Sequence, residues 1–199
     1  MDTAVALVQS YLYMNGYFTV TEYPVLELMA DGDYRTVTDV DVLAVRMPGA
    51  GGGADGSFGS FVGVDPELDV DPERIDLIIG EVKEGRAELN ASARDPKVLR
   101  AALSRFGAVD ESRIDGVIEE LLADGEAEPP DGPRIRLMSF GARPPSQRDG
   151  TYRWRLLGDL AGFMHRTITE HWKAAQTIQS KDPALSFLLL LEKAVRGEK

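Results

Sequence analysis

The chain has 199 residues, with 22 Lys+Arg against 33 Asp+Glu and a formal net charge of −11, a size that buries roughly 70% of its unfolded surface without a disulfide or structural metal. It has no cysteine, which excludes disulfide scaffolds, zinc ribbons, iron–sulfur sites and thiol catalysis and points to a reducing compartment. A pI of about 4.7 argues against indiscriminate adhesion to nucleic acid or anionic membrane.

Ala4, Leu7, Val8, Tyr11 and Leu12 recur at spacings of three and four, which predicts a first helix that Gly16 ends. Tyr17 to Leu28 is aromatic and β-branched and reads as a strand. Asp31-Gly32-Asp33 makes a turn, and Arg35 to Arg46 reads as a second strand pairing back. A Gly-rich loop from Pro48 to about Gly63 and an acidic loop to Glu73 lead to a third strand, Ile75 to Lys83. Helices are expected around Val98–Phe106 and Ile114–Ala123, as a helical insertion over about 95–128 that packs by Ile114, Val117, Ile118 and Leu121. Beyond Pro129, Pro130, Gly132 and Pro133, Ile135 and Leu137 alternate with Arg134 and Arg136 in a fourth strand to about Phe140. After the Pro144–Gly150 loop come a long helix from about Gly158 to Gln179 and a last one from about Pro183 to Arg196. This order predicts one α/β domain over 1–199, its core about 1–92 and 132–180. No apolar run approaches the ~20 residues of a membrane span, and Met1-Asp2 opens without the positive charge of a secretory signal. A cytoplasmic protein, away from membranes, is expected.

Chemistry concentrates in the second and third strands. In Thr38-Asp39-Val40-Asp41-Val42-Leu43-Ala44-Val45, alternation puts Asp39, Asp41, Leu43 and Val45 on one face and Val40, Val42 and Ala44 on the other. A carboxylate beside Leu and Val is costly unless paired or holding a metal. The next strand repeats the oddity: Ile75, Leu77 and Ile79 form an apolar face that ends in Glu81 and Lys83. A hard divalent cation bound by two carboxylates and a carbonyl would use Asp41, Glu81 and the Val82 carbonyl. Lys83 would then reach the attacking water or a phosphate oxygen. A plain ion pair between Glu81 and Lys83 is the bland alternative.

Asp41-Val42-Leu43-Ala44 and Glu81-Val82-Lys83, preceded by a helix that turns through Asn15-Gly16-Tyr17-Phe18, resemble the PD-(D/E)XK nuclease superfamily. The resemblance covers about residues 1–90, and Arg134–Phe140 supplies the next core strand. It implies a restriction-endonuclease-like fold of the α/β (α+β) class, with a mixed central sheet flanked by helices, and Mg²⁺ or Mn²⁺ as cofactor. The implied activity is phosphodiester hydrolysis in nucleic acid, DNA before RNA, with Asp41, Glu81 and Lys83 as the catalytic set. Val40 stands where the family has proline before the Asp, and 40 residues separate Asp41 from Glu81. The first helix lacks the Glu of some members; Gln9 is its central polar residue, and Glu22 or Glu27 are substitutes, with Asp39 a further accessory candidate.

Charge is segregated along the chain. Residues 1–131 carry 10 basic and 27 acidic side chains, whereas residues 132–173 carry 8 basic and 3 acidic. Arg134, Arg136, Arg143, Arg148, Arg153 and Arg155 are therefore candidates to position a phosphate backbone, since guanidinium suits bidentate phosphate contact. A solvated acidic surface beside ordinary basic elements is the alternative. At the level of function the alternative is a catalytically silent nuclease-fold module, an adaptor or binding subunit; a homodimer or a partner protein stays open.

Other motifs fail their context. Gly51 to Gly56 matches G-x-G-x-x-G, but Ser57-Phe58-Gly59-Ser60 opens no helix, so a loop is expected. Asp65, Glu67, Asp69, Asp71 and Glu73 lack the central Gly and twelfth-position Glu of an EF-hand. His165 and His171 are six apart on a helix, about 120° around its axis, which precludes a shared metal. The helix pair before Asp124-Gly125-Glu126 suggests a winged helix, but its second helix carries Asp115, Glu119 and Glu120, the wrong charge for DNA.

Overall fold

Short connections and one long crossover arrange these elements around a single sheet. The computed structural model describes residues 2–51, 64–147 and 150–197; positions 52–56 of the glycine motif and Arg148 lie outside them. Helix α1 (Thr3–Met14) starts at Asp2, whose side chain accepts the Ala4 N–H, and Gly16 at φ +85° turns the chain into β1. Strands β1 (Tyr17–Leu28) and β2 (Tyr34–Arg46) form a long antiparallel hairpin, and β3 (Asp76–Arg86) pairs antiparallel with the end of β2. Helices α2 (Pro96–Phe106) and α3 (Ile114–Asp124) carry the chain across to β5 (Arg134–Arg143), which runs parallel to β3. A two-residue β4 (Glu126–Ala127) and β6 (Arg153–Leu156) share the far edge of β5, the first antiparallel and the second parallel. Helices α4 (Leu157–Glu170), α5 (Trp172–Ala175) and α6 (Pro183–Arg196) complete the chain. The result is a six-stranded mixed sheet, ordered β1-β2-β3-β5-β4 with β6 beside β5, flanked by helices.

Each sheet face has its own core. Val42, Ala44, Ile78, Val82, Met138 and Phe140 pack against α1, α4, α5 and α6. Leu43, Leu77, Ile79, Ile135 and Leu137 pack against α2 and α3. Ile114, Val117, Ile118 and Leu121 are all buried, and the segment expected as an insertion is in fact the crossover between two parallel strands and one of the helical layers. The long helix expected from Gly158 to Gln179 breaks at His171 (φ −105°, ψ 29°). Thr167 and Thr169 bond back to the carbonyls of Phe163 and His165, which weakens a helix end, and the break swings Trp172 and Ala175 into the core. Among the described residues no helix is long and apolar enough to cross a membrane.

Candidate functional site

One pair of residues corrects the simple alternation. Val42 and Ala44 face α1, and Leu43 and Val45 face α2, yet Val40 lies with Tyr23 and Val25 in the α2 core. Thr21 pairs with Val42 and Tyr23 with Val40, while Glu22 and Asp41 between them form no ladder pair. Glu22 has φ +53°, the left-handed region that non-glycine residues seldom enter. There the hairpin turns its apolar side from one helical layer to the other, so Asp41 leaves the face that counting by twos assigns to it.

The same spot is where β2 and β3 part. Their ladder ends at Val42–Gly80, which makes Asp41 and Glu81 the first residues past the last pair. Asp41 Oδ2 accepts the Val82 N–H at 2.7 Å, standing in for the backbone acceptor that β2 no longer supplies. In a strand the N–H and C=O of one residue face the same edge, so the Val82 carbonyl faces this gap as well. Glu81 continues the Leu77–Ile79 face and is 6% exposed. Its Oε1 accepts from Asn90 Nδ2 at 2.7 Å and meets the Lys83 ammonium. On β5, Ser139 lies opposite Glu81 and is wholly buried, its hydroxyl without a partner among the described residues.

Burial dominates the electrostatics at the gap. Burial pushes the Asp41 carboxyl above the ordinary carboxylate range; the Val82 N–H and Lys83 oppose this, while Asp2 and Glu22 add to it. Burial also raises Glu81, against the Lys83 contact and with the Asp41 charge. Among the described residues nothing donates to Asp41 Oδ1 or Glu81 Oε2. Mg²⁺ takes one or two protein carboxylates and keeps several waters; here Asp41 Oδ1, Glu81 Oε2 and the Val82 carbonyl are the oxygens that would be offered to it. No group of three or more His, Cys, Asp or Glu among the described residues is placed to hold a metal.

The accessory candidates scatter. Gln9 donates to Thr19 Oγ1 at 3.3 Å, and Asp39 is exposed at the mouth of a narrow cleft it shares with Glu81, Ser92 and Ala93. Glu22 is exposed and acts on Asp41 through its charge. Glu27 is engaged by Lys97 and Arg35, which hold its carboxyl below the usual range. Sequence reasoning passed over two neighbours of these carboxylates: Asp2, whose charge acts on Asp41 and whose only signal is that of a helix cap, and Asn90, which donates to Glu81 and whose only signal is that of a turn former.

The basic segment requires a larger correction. Arg136 is 2% exposed and binds Asp76, Tyr17 and the Leu68 carbonyl. Arg134 is buried against Asp69, Glu126 and Glu128. Arg155 is largely covered, its Nη2 3.0 Å from Asp65. These three neutralise carboxylates of the acidic part of the chain and do not face a polyanion. Arg153, with a side chain 55% exposed, leans on Glu126 at 3.3 Å, and Arg143 is exposed. Asp65 and Asp69 of the acidic loop are thus taken up by arginines and are not free for calcium; Asp65 also accepts from Tyr11 at 2.8 Å. His165 meets Glu192 at 3.0 Å and His171 the Thr167 carbonyl, apart from one another. Comparison of the chain with family models, curated proteins and solved structures returned no match.

Proposed function

We propose that the protein is a Mg²⁺- or Mn²⁺-dependent nuclease of the cytoplasm that hydrolyses phosphodiester bonds in nucleic acid, DNA before RNA, at Asp41, Glu81 and Lys83. The observation that carries this reading is the end of the β2–β3 ladder, where Asp41 takes the Val82 N–H, Glu81 and Lys83 pair on the adjoining strand, and the Asp41 charge is felt at Glu81. The element order supports a restriction-endonuclease-like core: a helix, a three-stranded meander, a helical crossover, and a strand parallel to the third. In this reading Asp41 Oδ1, Glu81 Oε2 and the Val82 carbonyl hold the cation. When bound, such an ion polarises the phosphoryl oxygen and eases deprotonation of water. Lys83, held beside Glu81, orients the attacking water and offsets charge that develops on the phosphate. Arg143 and Arg153 supply backbone contacts.

A second reading, a silent nuclease-fold module acting as adaptor or binding subunit, is favoured by the internal neutralisation of Arg134, Arg136 and Arg155. Cleavage of plasmid, single-stranded DNA and RNA with Mg²⁺ or Mn²⁺ separates the two. The wild type is expected to cut at least one of them, and EDTA to stop it. Lys83→Ala is expected to lose cleavage yet keep Mn²⁺ binding, because Lys83 is no ligand. A wild type that neither cuts nor binds Mn²⁺ leaves the adaptor reading.

A further inference from the structure

We infer that Asn90 is a positioning residue for Glu81: its carboxamide fixes one carboxylate oxygen so that the other faces the gap beside Asp41. The inference rests on the reading of Asp41 and Glu81 as cation ligands. Asn90 Nδ2 donates to Glu81 Oε1 at 2.7 Å, and its Oδ1 accepts the Ala93 N–H at 2.7 Å. With an N–H on one side and a carboxylate on the other, only one orientation of the amide satisfies both neighbours.

Asn90 reaches Glu81, nine residues back, because the chain doubles over the end of the sheet. The β3–β5 register shifts between Lys83 and Arg86, and the returning segment lies against Gly141, where a Cβ would run into the Ala87 backbone. That segment is pinned along its length. Ala87 N–H bonds Arg143 O at 2.9 Å and Tyr152 Oη donates to Ala87 O at 3.2 Å. The Ser146 N–H and hydroxyl both donate to Glu88 Oε1 at 2.6 Å. Asn90 is thus presented by a braced loop, whereas the other group on Glu81 Oε1, Lys83, rides on a flexible four-carbon stem. Without Asn90 the carboxylate is free to fold onto Lys83 and turn both oxygens from the gap.

Asn90→Ser tests this, since a serine hydroxyl still accepts from the Ala93 N–H but is too short to reach Glu81. Loss of a group that orients a metal ligand weakens metal affinity about 10–100-fold, and a weakening in that range is expected for Mn²⁺, titrated by calorimetry and electron paramagnetic resonance, with the metal-free variant still melting cooperatively. Mn²⁺ affinity within about twofold of a binding wild type overturns the inference and spares the cation site. A wild type that binds no Mn²⁺ removes the reading of the site and the inference with it. Should the variant not fold, the Asn90 side-chain amide signals of the wild type decide: they are expected to shift on saturation with Mg²⁺, and signals that stay put overturn the inference.

Discussion

Asp76→Ala is expected to destabilise the protein by about 3–5 kcal/mol, the cost of leaving one half of a buried ion pair uncompensated. Arg136 Nε and Nη2 lie 3.0 and 2.5 Å from the two Asp76 oxygens, with Nη2 also 3.0 Å from Tyr17 Oη. Asp76 is wholly buried and Arg136 nearly so, so water cannot replace what the carboxylate supplied. Tyr17, which donates to Asp76 at 2.9 Å, loses its acceptor in the same step. For a chain of this length each kcal/mol lowers the melting temperature by about 2–4 °C, and a fall of roughly 6–20 °C is expected. The double change Asp76→Leu with Arg136→Met removes both charges, and most of the lost stability should return, since apolar replacement of a whole buried pair is often neutral or better. Urea unfolding of the wild type, Asp76→Ala, the double variant and Arg136→Met alone, with nucleic-acid binding followed by anisotropy, measures both quantities. If Arg136→Met alone kept stability within about 1 kcal/mol of the wild type while weakening nucleic-acid binding, Arg136 would be a phosphate contact after all.

The other expectations concern the site and the remaining exposed arginines. Glu81→Gln removes a carboxylate whose folded-state pKa is raised by burial. Such a group adds stability below the ordinary glutamate pKa, and that stability is lost as pH rises through the raised value. In EDTA the variant should therefore equal or exceed the wild type by about 1 kcal/mol near pH 8, and the difference should vanish below about pH 4. A less stable variant at pH 8 would make Glu81–Lys83 a structural ion pair. Arg143→Glu with Arg153→Glu should reduce the slope of log affinity against log salt by about 0.9 for each duplex phosphate that is no longer neutralised, and weaken all sequences alike. An unchanged slope takes those two residues out of the interface.

Most strands and helices were legible because local signals and the final packing agree. The Tyr17–Leu28 and Arg35–Arg46 runs, the apolar face of Leu77 and Ile79, and the stripe of Ile114, Val117, Ile118 and Leu121 all lie close to where periodicity places them. Asp41 and Glu81 were visible as carboxylates in otherwise apolar strands. The orientation of Asp41 was not, because it depends on one left-handed Glu22 on the neighbouring strand, and nothing in a glutamate announces that conformation. Nor were the partners of Arg134, Arg136 and Arg155. Those lie 60–90 positions away along the chain for Asp69, Asp76 and Asp65, and a run of arginines looks the same whether its counter-ions are phosphates or the protein's own carboxylates. The break at His171 was hidden because the helical pattern continues through it.

Those long-range pairs also bear on how the protein folds. Residues 1–131 carry a net charge of −17 and lack β5, the strand to which β3 pairs in parallel. Self-repulsion of that size opposes compaction, and Asp65, Asp69 and Asp76 have no guanidinium to meet. Their counter-ions arrive as one block, from Arg134 to Arg155. The native ion pairs of the acidic segment therefore cannot close until the Arg134–Arg155 block is present, and that one block closes all three.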